Sequence, residues 1–161
     1  MREIVKRAWW KIPLYSAIAG FVSWWLMVSY IGRLAIVKLP DGTITSNQTV
    51  WSLLSGGVFI VVLLIGGLIF FRKMTKKELL CSATVMFVLN IIMTSLAFLF
   101  PLSPITLYIL EMREWYSIVA WLFAMVGLNN WFGVVISGAC VYLFVLFGKK
   151  GNAREANNDN A

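Results

Sequence analysis

The residues with the most obvious capacity for chemistry are Glu111, Arg113 and Glu114, beside a long apolar segment, and Arg33, which ends another. Glu111 and Glu114 are three residues apart, so a helix would place both carboxylates on one face. Paired carboxylates can serve acid–base catalysis. The same residues also suit exposed ion pairs, which typically contribute less than about 1 kcal/mol. We interpret Arg33, Glu111, Arg113 and Glu114 as an outer charged cluster that is solvated, since nothing in their spacing requires a catalytic site.

The chain contains no histidine. Histidine is the usual ligand of haem and catalytic zinc and the commonest general acid or base near neutral pH. The two cysteines, Cys81 and Cys140, are far apart and form no CxxC motif, so we interpret both as small buried thiols. We therefore expect no metal ion, no cofactor and no enzymatic activity.

Four uncharged polar residues lie within or beside the apolar segments and form a candidate ligand-binding set: Asn90, Thr94, Asn129 and Asn130. The amide of Asn90 has two donors and two acceptor lone pairs, none of which lipid can satisfy. It must therefore face protein, water or a ligand. Interhelical hydrogen bonding is the first interpretation. An outward-facing polar cavity is the alternative, if the faces that carry these residues converge.

The composition requires a membrane. Of 161 residues, 60% are hydrophobic and only 13% are charged, whereas a soluble domain has about 25% charged residues. The net charge of +7 does not indicate nucleic-acid binding, because the basic residues lie beside apolar runs and a membrane surface explains them.

The apolar runs predict an all-α integral membrane protein with four antiparallel transmembrane helices in a single bundle, residues 1–148. The predicted spans are about 12–32, 50–71, 79–100 and 127–147. Residues 105–126 are predicted to form an outer interfacial helix between the third and fourth spans, and residues 149–161 a disordered cytoplasmic tail. Pro40-Asp41-Gly42 predicts a turn in an external loop.

The basic residues predict the orientation. Eleven of them fall on one side of the predicted spans and three on the other, and the three are Arg33, Lys38 and Arg113. The positive-inside rule then places both termini in the cytoplasm, with the plasma (cytoplasmic) membrane as the expected location. A five-span alternative, with 110–126 and 131–147 as separate crossings, would move Lys149 and Lys150 outside and leave Glu111 and Glu114 near the membrane.

Small residues four apart occur in several spans, as in Ser16/Gly20, Ser52/Gly56 and Gly133/Ser137, and such spacing favours close helix packing in lipid. We expect Trp115 in the outer aromatic belt. Trp25, near the middle of the first span, is expected to face lipid or a partner subunit.

These patterns favour a non-enzymatic membrane protein that acts by association, as a homo-oligomer or as a subunit of a larger complex. Its expected partners are membrane lipids and a protein bound through the small-residue helix faces, and no nucleic acid. A small transporter, channel or lipid-handling protein with the polar cavity described above is the alternative. A membrane enzyme that uses Glu111 or Glu114 ranks last, because no span has an Asp, Glu, Lys or Arg in its central third.

Overall fold

The computed structural model describes residues 8–99, 114–125, 127 and 130–149. The protein is mostly helical (80%), and three of its helices are long and apolar enough to cross a membrane. We number them α1 (Lys11–Leu34), α2 (Gln48–Phe70) and α3 (Lys76–Leu99). Two further helices follow in the chain, α4 (Glu114–Met125) and α5 (Asn130–Ala139), and α5 continues as a 3-10 helix over Cys140–Phe147. Two short strands, β1 (Ile36–Lys38) and β2 (Ile44–Ser46), lie between α1 and α2.

Helix α1 begins against α3. The backbone N–H of Ile12 donates to Ser82 Oγ at 3.0 Å, and the Ser82 hydroxyl donates to the carbonyl of Trp9 at 3.1 Å. Ser82 thereby satisfies a free N–H in the first turn of α1, as a cap residue would, although it is 70 residues away. Pro13 is tolerated because it also lies in that first turn, where its missing N–H has no intrahelical partner.

The segment between α1 and α2 is an antiparallel hairpin in which Ile36 pairs with Ser46 and Lys38 with Ile44. Gly42 has a positive φ of 84°, which the turn requires and which glycine adopts without strain. Thr43 donates to Asp41 Oδ1 from its backbone N–H at 2.9 Å and from its hydroxyl at 2.6 Å. The predicted turn at Asp41-Gly42 is therefore confirmed, and the segment between α1 and α2 contains two short strands as well as the turn.

Helix α2 begins at a side-chain cap and lies at the edge of the bundle. Asn47 Oδ1 accepts from the N–H groups of Thr49 (3.1 Å) and Val50 (3.2 Å). None of the residues in Gln48–Ile65 is fully buried. The last turn, Gly66–Phe70, is π-helical and carries two buried glycines.

Helix α3 opens with a reciprocal capping box. The Thr75 N–H donates to Glu78 Oε2 at 2.8 Å, and the Glu78 N–H donates to Thr75 Oγ1 at 3.3 Å. Lys149 pairs with this same segment, because its N–H donates to the Met74 carbonyl at 2.9 Å and its carbonyl accepts from the Lys76 N–H at 3.1 Å. One end of the bundle, the basic end, therefore carries basic residues from three separate segments: Lys11, Arg72, Lys73, Lys76, Lys77 and Lys149.

Helices α4 and α5 form an antiparallel pair joined around Gly127, which has a positive φ of 77°. The Trp115 ring lies 5.7 Å from that of Phe144, and a Cβ built on Gly133 would be 3.0 Å from the Ala120 carbonyl. In the 3-10 helix, residues three apart are eclipsed, so Val141, Phe144 and Phe147 form one row. Val141 and Phe144 are buried in the core.

The first three predicted spans correspond to α1, α2 and α3 and are confirmed as helices able to cross a membrane. The fourth, 127–147, corresponds to α5 and its 3-10 continuation, of which Val135–Phe147 is a shorter apolar helix. In the predicted interfacial segment 105–126, the described part is α4, and its first turn is buried inside the bundle. The predicted tail lies outside the described residues from residue 150 onward.

Candidate functional site

Asn90 lies near the middle of α3 with only 1% of its surface exposed. Its Oδ1 accepts a hydrogen bond from the Tyr116 hydroxyl of α4 at 3.0 Å. A Cβ built on Gly138 of α5 would lie 3.0 Å from Asn90 Cγ and closer still to Nδ2, while Nδ2 itself has no hydrogen-bond partner among the described residues. The amide therefore joins three helices, and only a glycine at position 138 leaves room for it.

Thr94 is one turn beyond Asn90 on α3 and partly buried. Its hydroxyl donates to the Asn90 backbone carbonyl at 2.7 Å, which is the usual way a threonine satisfies its hydroxyl within a helix. The structure thus places Asn90 and Thr94 in one packed region. These contacts favour the packing interpretation of Asn90.

The other candidate residues are not brought to this region by the described structure. Asn129 lies outside the described residues, and Asn130 is described only as the first residue of α5. In the predicted charged cluster, Arg33 is exposed at the end of α1, Glu111 and Arg113 lie outside the described residues, and Glu114 is described only as the first residue of α4. The ligand-binding set and the charged cluster therefore stay predictions.

Trp115 is not in an aromatic belt, and the expectation that it lies there is wrong. Only 1% of it is exposed. Its ring stacks on Phe59, the middle residue of α2, with centroids 5.7 Å apart and planes 12° from parallel. It also meets Tyr116 edge to face at 5.0 Å. The start of α4 therefore fills the bundle interior at the mid-length of α2.

Sequence reasoning missed Tyr116 and Gly138, the two residues that hold Asn90 in place. A signal was available. The apolar stretch from Trp115 to Phe147 is 33 residues long, more than one crossing needs. Its surplus packs inside the protein, where the first turn of α4 contributes Trp115 and Tyr116 to the core.

An unpacked surface lies on the outer side of α2. We name it the open face, made of residues at helical spacing: Leu53, Gly56, Gly57, Ile60 and Leu64. Gly57 lies at its border and also lines the groove between α1 and α2. The three large side chains of the open face are exposed, and within the part of the chain that the structure describes, a Cβ built on either glycine would meet nothing within 4 Å. The nearby Ser52 hydroxyl donates to the Gln48 carbonyl of its own helix at 2.7 Å. The open face therefore has no reactive group and no unsatisfied hydroxyl, and it is suited only to close apolar packing.

Between α1 and α2 lies a second unpacked region, a groove of about 880 Å³ that we call the α1–α2 groove. Its lining contains none of the candidate ligand-binding residues. Over the described ranges 8–99, 114–125 and 130–149, no group of three or more His, Cys, Asp and Glu side chains could hold a metal ion.

Trp25 is exposed on α1, where its ring meets Tyr30 edge to face at 5.3 Å. This agrees with the expectation that it faces lipid or a partner.

Comparison of the chain with protein-family models, curated proteins and solved structures finds no match in any of the three.

Proposed function

We propose that this protein is a non-enzymatic component of the plasma (cytoplasmic) membrane that acts by association, and that its partner is a second copy of the same chain bound through the open face of α2. The observation that carries the proposal is the contrast in packing between the helices. Each of the three long helices has an apolar stretch of 18 residues that could cross a membrane. The buried share of this stretch is only 11% in α2, against 28% in α1 and in α3.

The two glycines of the open face support this proposal. A glycine inside a helix costs about 1 kcal/mol relative to alanine, because it loses more backbone freedom. Gly56 and Gly57 incur that cost without any close contact inside the chain. In lipid, helices associate by close van der Waals packing at small residues, and that contact would offset the cost.

A second copy is the partner that the composition of the face favours. The open face carries only apolar side chains and glycine. It therefore contains no charged or hydrogen-bonding side chain that would require a complementary polar group on a different protein. In a symmetric pair each copy presents the same patch to the other. Gly56 and Gly57 of the two chains would then meet and allow the two α2 backbones to approach closely.

Cysteine crosslinking in the native membrane tests the association. In a chain with Cys81→Ala and Cys140→Ala, Ile60→Cys should form a disulfide-linked dimer on mild oxidation. Val88→Cys on α3 is the matched control, because it has a similar depth and exposure (48% against 55%) and lies off the open face. Equal crosslinking at both positions, or monomer only at both, would contradict the proposal. Crosslinking of Ile60→Cys only to a different protein would replace the homo-oligomer with a subunit of a larger complex.

We further propose four spans with both termini in the cytoplasm. At 1.5 Å per α-helical residue and about 2.0 Å per 3-10 residue, α5 and its continuation (10 and 8 residues) would extend about 31 Å, close to the hydrocarbon thickness of a bilayer. The contact of Lys149 with the segment before α3 supports a common side for the 72–78 loop and the chain end. This contact argues against the five-span alternative, which would separate them.

Labelling with a membrane-impermeant thiol reagent tests this topology in the same cysteine-free chain. Asp41→Cys should react in intact cells, whereas Asn160→Cys should react only after permeabilisation. Reaction of Asn160→Cys in intact cells would refute the proposed orientation of the chain end.

The polar-cavity hypothesis has a separate test. If Asn90 contacts a transported ligand, Asn90→Leu should abolish ligand- or flux-dependence at normal expression. Unchanged transport would remove Asn90 from any such site. For the enzyme hypothesis, replacement of Glu111 and Glu114 together by glutamine should abolish activity, and retained activity would exclude a role for them.

A further inference from the structure

The α1–α2 groove is an apolar cleft with one polar end. Its walls are formed by Leu14, Ile18 and Val22 of α1 and by Val58 and Val61 of α2. Along α1 its lining extends from Lys11 to Ile31, which is about 30 Å at 1.5 Å per residue. That length matches the thickness of the hydrocarbon core of a bilayer, about 30 Å.

The floor of the groove is tied together by Tyr15. Its hydroxyl donates to the Val62 carbonyl of α2 at 2.6 Å. Its ring meets Phe71 edge to face at 5.3 Å and Phe144 of the 3-10 helix at 5.6 Å. Because Tyr15, Val62 and Phe71 all line the groove, these contacts hold its two walls at a fixed separation near the basic end.

The groove has one charged residue in its described lining, Lys11, which lies at the basic end. Trp10 lines it just before α1, and Phe71, which lines it just after α2, is followed directly by Arg72 and Lys73. The nearest acidic residue in the 71–78 segment is Glu78, whose carboxylate accepts hydrogen bonds from Thr75. A tryptophan beside cationic residues is the arrangement found at the level of lipid headgroups.

We infer that the α1–α2 groove binds an anionic phospholipid, with the phosphate at Lys11, Arg72 and Lys73 and an acyl chain along Ile18 and Val61. Basic pockets between transmembrane helices bind anionic lipid headgroups. The groove volume of about 880 Å³ lies within the range of small-ligand sites, about 300–1,000 Å³. Lys11 at one end is the one charged residue of the described lining, and apolar side chains line most of the rest, which matches an anionic headgroup followed by an acyl chain.

The headgroup part of the inference is tested with the full chain in neutral detergent. Binding of dioleoylphosphatidylglycerol and dioleoylphosphatidylcholine is measured by native mass spectrometry. We expect binding of phosphatidylglycerol to be at least tenfold tighter, and Lys11→Gln to reduce that preference several-fold. Lys38→Gln, on the hairpin at the opposite end, is the matched control and should leave the preference unchanged. Equal affinity for the two lipids, or equal loss in both variants, would overturn the inference.

The acyl-chain part is tested by filling the groove. Val61 and Ile60 are neighbours with almost equal exposure (53% and 55%), but only Val61 lines the groove. Val61→Trp should weaken phosphatidylglycerol binding at least tenfold, whereas Ile60→Trp should not. Equal effects would refute the placement of the chain in the groove. Soluble glycerol phosphate at the same concentration should not compete, and competition by it would mean that a free phosphate ester is the ligand.

The same two variants keep this inference separate from the proposed association. For this comparison the crosslink is formed at Leu53→Cys, which is also on the open face. Ile60→Trp should disrupt that crosslink and leave lipid binding intact, while Val61→Trp should do the reverse. Loss of crosslinking together with unchanged lipid binding in Val61→Trp would show that the groove accommodates a partner helix, and it would overturn the lipid assignment.

Discussion

Helix α2 carries the dipeptide Gly-Gly twice, at Gly56-Gly57 and at Gly66-Gly67, and the two copies lie in opposite environments. A Cβ built on Gly66 would lie 2.6 Å from Phe144 and 2.8 Å from Tyr15, and one built on Gly67 would meet the ring of Phe147. A Cβ built on Gly56 or Gly57 would meet no atom of the described residues within 4 Å. The Gly66-Gly67 copy is used within the fold, and the Gly56-Gly57 copy is available to another molecule.

The difference lies in what packs against each copy. The 3-10 conformation of residues 140–147 places Phe144 and Phe147 in one row, three residues apart. That row matches the two adjacent glycines of the π-helical turn, so aromatic rings fill the space that the missing side chains leave. In lipid, this close contact stabilises helix packing without any hydrophobic driving force. An identical sequence motif therefore marks either an intrachain contact or an unoccupied surface, depending on its partner.

The strongest test of this comparison places a leucine in each glycine pair. Gly66→Leu should destabilise the protein by about 3 kcal/mol, because Tyr15 and Phe144 occupy the space that the side chain needs. Gly56→Leu should leave the stability of the monomer unchanged or raise it by about 1 kcal/mol, since leucine favours a helix and the site is open. Unfolding in mixed micelles by increasing denaturing detergent measures both. Equal destabilisation by the two variants would mean that the open face is packed against another part of the same chain.

Three of the four predicted spans and the turn at Asp41-Gly42 are confirmed, because each depends on local composition: an apolar run of sufficient length or a turn motif. The sequence also marked Asn90 as a residue that must be satisfied within protein, water or a ligand. It did not predict Tyr116 as the partner of Asn90 or Gly138 as the residue that makes room for the amide. Those contacts join helices distant in sequence, and side-chain types alone do not specify which residues of α3, α4 and α5 meet.

Trp115 shows the same limit. Tryptophan is enriched at membrane interfaces, so its position beside charged residues predicted a belt location. Its burial against Phe59 is decided by the path of the chain between α3 and α4, which hydropathy does not encode. Likewise, the spacing of Ser52 and Gly56 indicated a small-residue face but not whether that face is filled from within the chain.

A smaller effect is expected from the packed polar contact between α3 and α4. In a double-mutant cycle of Asn90→Ala and Tyr116→Phe, the coupling free energy should be about 1 kcal/mol, because the hydrogen bond is buried between helices. Tyr142 and Thr84 provide a matched pair, since the Tyr142 hydroxyl donates to Thr84 Oγ1 at 3.2 Å in an exposed position.

For the cycle of Tyr142→Phe and Thr84→Val we expect a coupling of less than about 0.5 kcal/mol, because this bond is longer and the Thr84 hydroxyl also bonds to the Leu80 carbonyl of its own helix at 2.8 Å. Both cycles are measured by the same micelle unfolding. A coupling at Asn90 no larger than that at Thr84 would show that burial does not distinguish the packed region from the exposed surface.

The smallest effect is expected at the exposed hairpin. Thr43 lowers the pKa of the Asp41 carboxyl below its ordinary value through two hydrogen bonds. The bond from its hydroxyl has the larger effect, and the bond from its backbone N–H has the smaller one. A lowered pKa in the folded state means that the ionised carboxylate favours the hairpin. This contribution is complete above the ordinary pKa of an aspartate and is lost as the pH falls through the lowered value.

The Thr43 amide resonance, followed by NMR in micelles, should therefore titrate at a pH below that of an unperturbed aspartate. Thr43→Ala removes the hydroxyl donor and should move the titration upward toward the ordinary value. Thr45→Ala, which leaves both donors to Asp41 in place, should not shift it. Asp41 is fully exposed, so the helices should keep their stability throughout this titration. Concerted loss of the NMR signals of α1 and α2 would instead show that the hairpin is coupled to the packed bundle. Local loss at Thr43 alone would place the hairpin, like the open face, outside the cooperative core that Tyr15, Phe144 and Trp115 form.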